Sequence, residues 1–231
     1  KFITQPRTFY TYRRKGIESL ENNFFFNTGD EFWKSDGTAN GTMPVTGNAT
    51  SPIEITYFKR TNSIIFSASY NRDGNQELWK IPSDGIRSSL LKDINPNGPS
   101  GPNSLHSTDD YILFFANDGI HGSELWRTDG TSSGTYLVKD INPGEDGKLI
   151  RDVEFTKLDD YYYFQGYNKE FGTELWRTDG TLEGTSMVKD INVGQYGGLF
   201  SRIVESNGIL YFSGSKRRSN SELWRSDGTS D

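Results

Sequence analysis

Large apolar side chains fall along this chain in short unbroken runs: Ile64 to Phe66, Tyr111 to Phe115, Tyr161 to Phe164 and Ile209 to Phe212, each closed by polar turn-formers. A short run rich in aromatic and β-branched residues predicts a strand, and the lack of alternation predicts burial on both faces. An extended stretch precedes each run. The two are joined by Asn62-Ser63, Asp109-Asp110, Asp159-Asp160 or Asn207-Gly208, pairs that suit tight hairpins. Each run ends on Phe, one further residue, then a small one, as in Phe66-Ser67-Ala68, Phe114-Phe115-Ala116, Phe164-Gln165-Gly166 and Phe212-Ser213-Gly214, with Phe26-Asn27-Thr28 earlier in the chain.

A third stretch then carries the motif that organises the sequence. It reads Glu31-Phe32-Trp33-Lys34-Ser35-Asp36-Gly37-Thr38, then Glu77-Leu78-Trp79-Lys80 with Asp84-Gly85 beyond it, then Glu124-Leu125-Trp126-Arg127-Thr128-Asp129-Gly130-Thr131. The fourth and fifth copies run from Glu174 through Trp176 and Asp179 to Thr181, and from Glu222 through Trp224 and Asp227 to Thr229. All five tryptophans therefore occupy one motif, at spacings of 46, 47, 50 and 48 residues. Asp-Gly-Thr makes a polar turn into a fourth strand, seen as Tyr136 to Ile141 and Ser186 to Ile191. Each repeat is a four-stranded meander.

A unit of this size suits either a propeller blade or one segment of an open array. Second strands buried on both faces favour stacked blades. The sequence thus predicts one all-β domain spanning residues 1–231, a β-propeller of five four-stranded blades, with a fragment of a longer array of six to eight blades as the competing reading. The repeats run over about residues 13–48, 49–98, 99–146, 147–196 and 197–231, and residues 1–12 supply the strand that completes the last blade and closes the ring.

Composition narrows the function. The 231 residues carry a formal net charge of −6, so no broad basic field is offered to phosphates and nucleic acid is not an expected partner. No apolar run approaches the ~18 residues that span a bilayer, so membrane insertion is not expected. There is no cysteine, hence neither a disulfide framework nor a thiolate site. Two N-glycan sequons occur, at Asn40 and Asn48, and agree with an extracellular setting.

Glu-Leu-Trp, two residues, Asp-Gly-Thr, then Gly-Thr and later Lys-Asp-Ile-Asn-Pro-Gly resembles the ELWxxDGT repeat family of surface and secreted proteins. Copies three and four match throughout, with Lys139 to Gly144 and Lys189 to Gly194, where Val193 stands for Pro. Copy one has Phe32 for Leu and lacks the Lys-Asp-Ile tail, and copy two has Ile86 for Thr. The resemblance covers nearly all of residues 14–230. It implies a propeller at the cell surface or outside the cell, and it implies no reaction.

Candidate chemistry is sparse. The two histidines, His106 and His121, lie in one repeat and read as polar loop or strand-edge residues rather than a base or a metal pair. Asp36, Asp84, Asp129, Asp179 and Asp227 precede Gly in every copy, which fits side chains bonding to N–H groups of their own turns, with Gly taking positive φ. No calcium-loop pattern appears, so neither metal nor cofactor is expected. The repeated Trp is either an interblade wedge or a sugar-stacking platform; its apolar neighbours favour burial. Loop aromatics Phe171 and Tyr196 are better sugar candidates.

These readings predict a non-enzymatic scaffold that bridges partners in a matrix, surface or mineral-associated assembly, with a multivalent lectin as the alternative. The expected partner is another extracellular protein or an anionic polymer, with glycans for the lectin. Arg13-Arg14-Lys15 enters the first repeat, and Lys216-Arg217-Arg218 forms the second-to-third strand loop of the fifth. Ring closure would make these clusters neighbours, a candidate basic docking patch.

Overall fold

The computed structural model describes residues 17–20, 23–28, 31–71, 73–144, 152–194, 197–198, 202–215 and 221–229. Apart from one 3-10 turn at Lys59–Thr61, every regular element among them is a β-strand. The first repeat holds β1 (Ile17–Leu20), β2 (Asn23–Asn27), β3 (Phe32–Ser35) and β4 (Met43–Pro44). The second holds β5 (Ala49–Phe58), β6 (Ser63–Tyr70), β7 (Gln76–Pro82) and β8 (Ser89–Lys92), and the third β9 (Asn103–Ser107), β10 (Ile112–Asn117), β11 (Ser123–Thr128) and β12 (Tyr136–Lys139). Then come β13 (Thr156–Leu158), β14 (Tyr161–Asn168), β15 (Gly172–Thr178) and β16 (Ser186–Lys189), followed by β17 (Val204–Ser206), β18 (Ile209–Gly214) and β19 (Glu222–Ser226). Each repeat forms its own sheet in sequence order: four sheets of four strands and, in the fifth repeat, three among the described residues. Residues 1–12, expected to complete that last sheet, lie outside the described part.

The chain groups into two compact units, residues 1–114 with 128–135, and residues 115–127 with 136–231. In the first, Phe25 and Phe32 of repeat one share a core with Ile64, Phe66, Trp79 and Ile81 of repeat two. In the second, Leu158, Tyr163, Leu175 and Val188 of repeat four pack with Leu210 and Phe212 of repeat five. Apolar cores thus form between consecutive sheets, which is why β6 is buried at every position but its last and β10 at all but its final Asn117. β18 departs from that expectation. Its residues alternate between half-buried and buried, and β2 buries Phe25 alone.

The hairpins follow local chemistry. Asn62 and Asp159 sit at φ 48° and 53°, and Asn207-Gly208 takes positive φ at both positions, the primed turn that matches strand twist. A bulge recurs between Leu and Trp of the motif in three sheets, with Leu175 opposite Lys189 but Trp176 opposite Met187. The extra residue on the partner strand, Leu91, Val138 or Val188, is buried. The fourth strands end at Lys139 and Lys189, two residues short of the predicted Ile141 and Ile191. The next N–H groups leave the ladder for a carboxylate.

Candidate functional site

The Asp-Gly-Thr turn closes on itself. Asp36 Oδ1 accepts the Thr38 N–H at 2.9 Å and the Thr38 hydroxyl at 2.7 Å; Asp129 and Asp179 repeat both bonds within 0.1 Å, and Asp227 does the same with Thr229. Bonds from Thr38 hold the Asp36 carboxyl below its ordinary range, and those from Thr229 do so for Asp227. The glycine of the turn sits at φ 83° to 88° in all four copies. The second glycine, Gly41, Gly134 or Gly184, has another reason: a Cβ there would overlap the Asp carboxylate. The following threonine donates back, from Thr42 to Thr38 O at 2.6 Å and from Thr185 to Thr181 O at 2.6 Å. These bonds span the whole Asp-Gly-Thr-x-x-Gly-Thr string in the four copies that carry it, whereas in the second copy Gly85, after Asp84, does not take the expected positive φ.

Trp79, Trp126 and Trp176 are buried, at 2%, 7% and 8% exposure, while Trp33 and Trp224 are half-buried. Trp79 Nε1 donates to Ala68 O at 3.0 Å. A Cβ on Gly166 would collide with the Trp176 indole, and one on Gly214 would lie 3.0 Å from Trp224 Cδ1. This explains the small residue after Phe-x: the next strand's indole lies on it. In repeat five the apolar flank expected beside Trp is missing, for Leu223 is 79% exposed.

Two recurrent polar devices have partners that the sequence does not mark, although recurrence of the motif's glutamate in every copy already argues for a structural role. The first is the base after Trp. Lys34 Nζ donates to Asp84 O at 2.9 Å, Lys80 Nζ to Gly130 O at 3.3 Å, Arg127 Nη1 to Gly180 O at 3.1 Å and Arg177 Nη1 to Gly228 O at 3.3 Å. Each ties its own sheet to the Asp-Gly turn of the next repeat. Arg177 also lies 4.6 Å over the Tyr161 ring and Arg127 5.4 Å over Tyr136, within cation–π range.

The second device is the glutamate that opens the motif. Glu77, Glu124 and Glu174 are at most 4% exposed, and their carboxylates accept the N–H of Ile94 at 2.7 Å, Ile141 at 2.5 Å and Ile191 at 2.9 Å. Glu77 also takes Ser100 N–H and hydroxyl at 3.0 and 2.6 Å. Burial pushes Glu124 and Glu174 up to about 7, against the pull of those backbone bonds, with Asp140 and Asp190 adding to the rise. Each carboxylate clasps the chain where it leaves the fourth strand. Glu31 instead accepts from its own Trp33 Nε1 at 3.2 Å, and Glu222 is exposed.

Of the two histidines, His121 borders the Glu124 clasp, whose carboxyl its charge pulls down against the larger effect of burial. His121 Nδ1 lies 2.7 Å from Asp118 Oδ2, and that hydrogen bond raises its pKa, with the charges of Asp140 and Glu124 adding to the rise. Burial alone would raise Asp118, but the N–H groups of Ile120 and His121 and the imidazole outweigh it and bring the carboxyl down. His106 is half-buried on β9. Among the described residues no three His, Cys, Asp or Glu side chains gather as a metal-binding group. Asn40 and Asn48 are exposed, Asn48 Nδ2 donating to Tyr70 OH at 3.2 Å. Phe171 is half-buried in its turn. The basic clusters Arg13-Arg14-Lys15 and Lys216-Arg217-Arg218 lie outside the described residues, as does Tyr196. No described helix is long and apolar enough to cross a membrane.

No protein-family model matches the chain, and no curated protein does. Among solved structures, the putative TolB from Agrobacterium tumefaciens is similar at 14% identity and a TM-score of 0.50, over 90% of this chain and 74% of that one. The tricorn protease is similar at 11% identity and a TM-score of 0.51, over 93% of this chain but 21% of its own. At such identity the likeness speaks for the fold alone.

Proposed function

We propose that the five sheets are blades of a β-propeller of the ELWxxDGT kind, and that the chain is a non-enzymatic scaffold at the cell surface or outside the cell. The observation that carries this reading is where the recurrent polar residues go. Asp36, Asp129, Asp179 and Asp227 hold turns, Glu77, Glu124 and Glu174 hold strand exits, and the Lys or Arg after Trp joins successive sheets. Groups engaged in this way build a rigid support, and a support leaves contact surfaces to its variable loops. Burial of three of the five tryptophans favours the scaffold over a lectin that stacks sugars on them. The fold likeness to TolB supports the blade arrangement. Closure of a five-blade ring by residues 1–12 is the finer form of the proposal; a deletion of those residues that stays monomeric and equally stable would remove it.

The partner in this reading is an extracellular protein or an anionic polymer, met in part by the two basic clusters. Copurification with mass spectrometry, run beside a glycan array, tests it. Recovery of a matrix or surface protein with a silent array is the expected result. Saturable binding of several sugars per chain, abolished by substitutions at loop aromatics, would replace the scaffold with a lectin.

A further inference from the structure

The glutamate clasp recurs in three repeats, and its carboxylate is completed differently in each. In the second repeat Ser100 gives its N–H to Glu77 Oε1 at 3.0 Å and its hydroxyl to Oε2 at 2.6 Å. In the third, Glu124 Oε1 accepts the Asn142 N–H at 3.3 Å, and His121, three residues ahead of the glutamate, adds an opposing charge. The fourth repeat has neither aid. Phe171 stands three residues ahead of Glu174, and Gly198 takes the place of Ser100. The Gly198 N–H bonds Thr173 O at 3.0 Å, as the Ser100 N–H bonds Gln76 O at 3.1 Å, but glycine brings no hydroxyl.

Glu174 is fully buried. Its Oε2 accepts the Ile191 N–H at 2.9 Å, and its Oε1, equally buried, has no hydrogen-bond partner. The N–H groups of Asn192 and Gly198 draw on this carboxylate only at longer range. Asp190, where the chain leaves β16, adds its charge to the effect of burial on Glu174, and Asp190 Oδ1 is also buried without a partner. Among the described residues neither carboxylate forms an ion pair. A buried charge persists where it is paired or coordinates a metal, and a second carboxylate beside it supplies repulsion in place of pairing. Two oxygens of the fourth repeat carry that demand at once.

We propose that Glu174 and Asp190 bind a hard divalent cation of the calcium class through Glu174 Oε1 and Asp190 Oδ1. Both ligands are carboxylate oxygens, the donor type that calcium takes, whereas zinc and copper draw on imidazole or thiolate. Calcium holds about six to eight oxygens, so water and main-chain carbonyls complete the shell. Two carboxylates place the site at the weak end of the scale, at about 10⁻⁴–10⁻³ M, where extracellular calcium modules lie. No calcium-loop spacing marks it, because one ligand lies on β15 and the other beyond the end of β16. The value of about 7 at Glu174 belongs to the chain without the cation. This inference goes beyond the scaffold reading and does not depend on what the scaffold binds.

Terbium luminescence of the chelator-treated full chain tests it. Terbium replaces calcium at oxygen sites, and Trp176, on the same face of β15 as Glu174, can pass excitation to it. Emission should saturate and be displaced by calcium in the millimolar range, and calcium should raise the melting temperature. Glu174→Gln and Asp190→Asn should each weaken calcium binding by about tenfold or more, with circular dichroism showing that each variant folds; Asp190→Asn, at a half-buried residue, carries the test if Glu174→Gln does not fold. Glu77→Gln, whose carboxylate Ser100 completes, should leave the affinity unchanged. Absence of displacement by calcium up to about tenfold above the expected range would overturn the proposal, as would unchanged affinity in Asp190→Asn. An equal loss with Glu77→Gln would assign the emission to the acidic surface at large and overturn it as well.

Discussion

Gly184→Ala isolates the turn device from the rest of the fold. Gly184 does not have positive φ, so alanine meets no backbone strain there; the obstacle is the Asp179 carboxylate, which a Cβ would overlap. The carboxylate must swing away and surrender the Thr181 N–H at 2.8 Å and the Thr181 hydroxyl at 2.7 Å. Hydrogen bonds to a charged group contribute about 1.5–3 kcal/mol each, and partial exposure of Asp179 puts both at the lower end, so the loss is about 3 kcal/mol. For a chain of this length that lowers the melting temperature by roughly 6–12 °C. The assay is thermal unfolding followed by far-ultraviolet circular dichroism, run as a double-mutant cycle with Asp179→Ala. Once the carboxylate is gone, the added methyl has nothing to displace, so the double variant should be no less stable than Asp179→Ala alone. Strict additivity, or a Gly184→Ala variant that melts with the parent, would refute the reasoning.

Trp176→Ala should destabilise by about 3–5 kcal/mol and half-buried Trp224→Ala by roughly half of that, measured by urea unfolding; equal losses would contradict the burial difference. Glu124 and Glu174 have folded values of about 7 against an ordinary 4.5, so their contribution is complete below about 4.5 and lost as pH rises through about 7. The unfolding free energy from urea titration should therefore fall between about pH 5 and about pH 8, by up to about 3 kcal/mol per residue, and Glu174→Gln should flatten the profile; a free energy that rises over that range contradicts the assignment. Reversing Lys216, Arg217 and Arg218 to Glu should weaken binding to the copurified partner, most at low ionic strength, and undiminished affinity with the same salt slope would sink the basic patch.

The repeat was legible because it is written in side chains that occur nowhere else. Every Trp marks a third strand, so β3, β7, β11, β15 and β19 could be placed from spacing alone, and the hairpins followed from Asn62, Asp159 and Asn207-Gly208. Burial was less legible in the first and fifth repeats. The run Ile209 to Phe212 is unbroken and aromatic-ended like Ile64 to Phe66, yet β18 alternates and β6 does not. Composition records what a strand can bury, whereas the neighbouring sheet decides whether both faces are covered. Leu223 makes the same point, since its letter matches Leu175 and its environment does not.

The polar part of the motif was half legible. Asp before Gly suggests a turn because the donors to its carboxylate lie two residues away, and the bonds from Thr38, Thr131, Thr181 and Thr229 are of that local kind. The glutamate and the base act at longer range, on partners 17 and about 50 residues onward. Those partners are main-chain N–H and C=O groups, which every residue possesses, so no side-chain type marks the acceptor of Arg177 or the donor to Glu174. A second signal was nevertheless present. Recurrence of Lys or Arg directly after all five tryptophans, on strands otherwise apolar, requires something to satisfy the charge in each copy. A main-chain acceptor is the one kind of partner that sequence drift cannot remove, which is why a device repeated across divergent copies would rest on it.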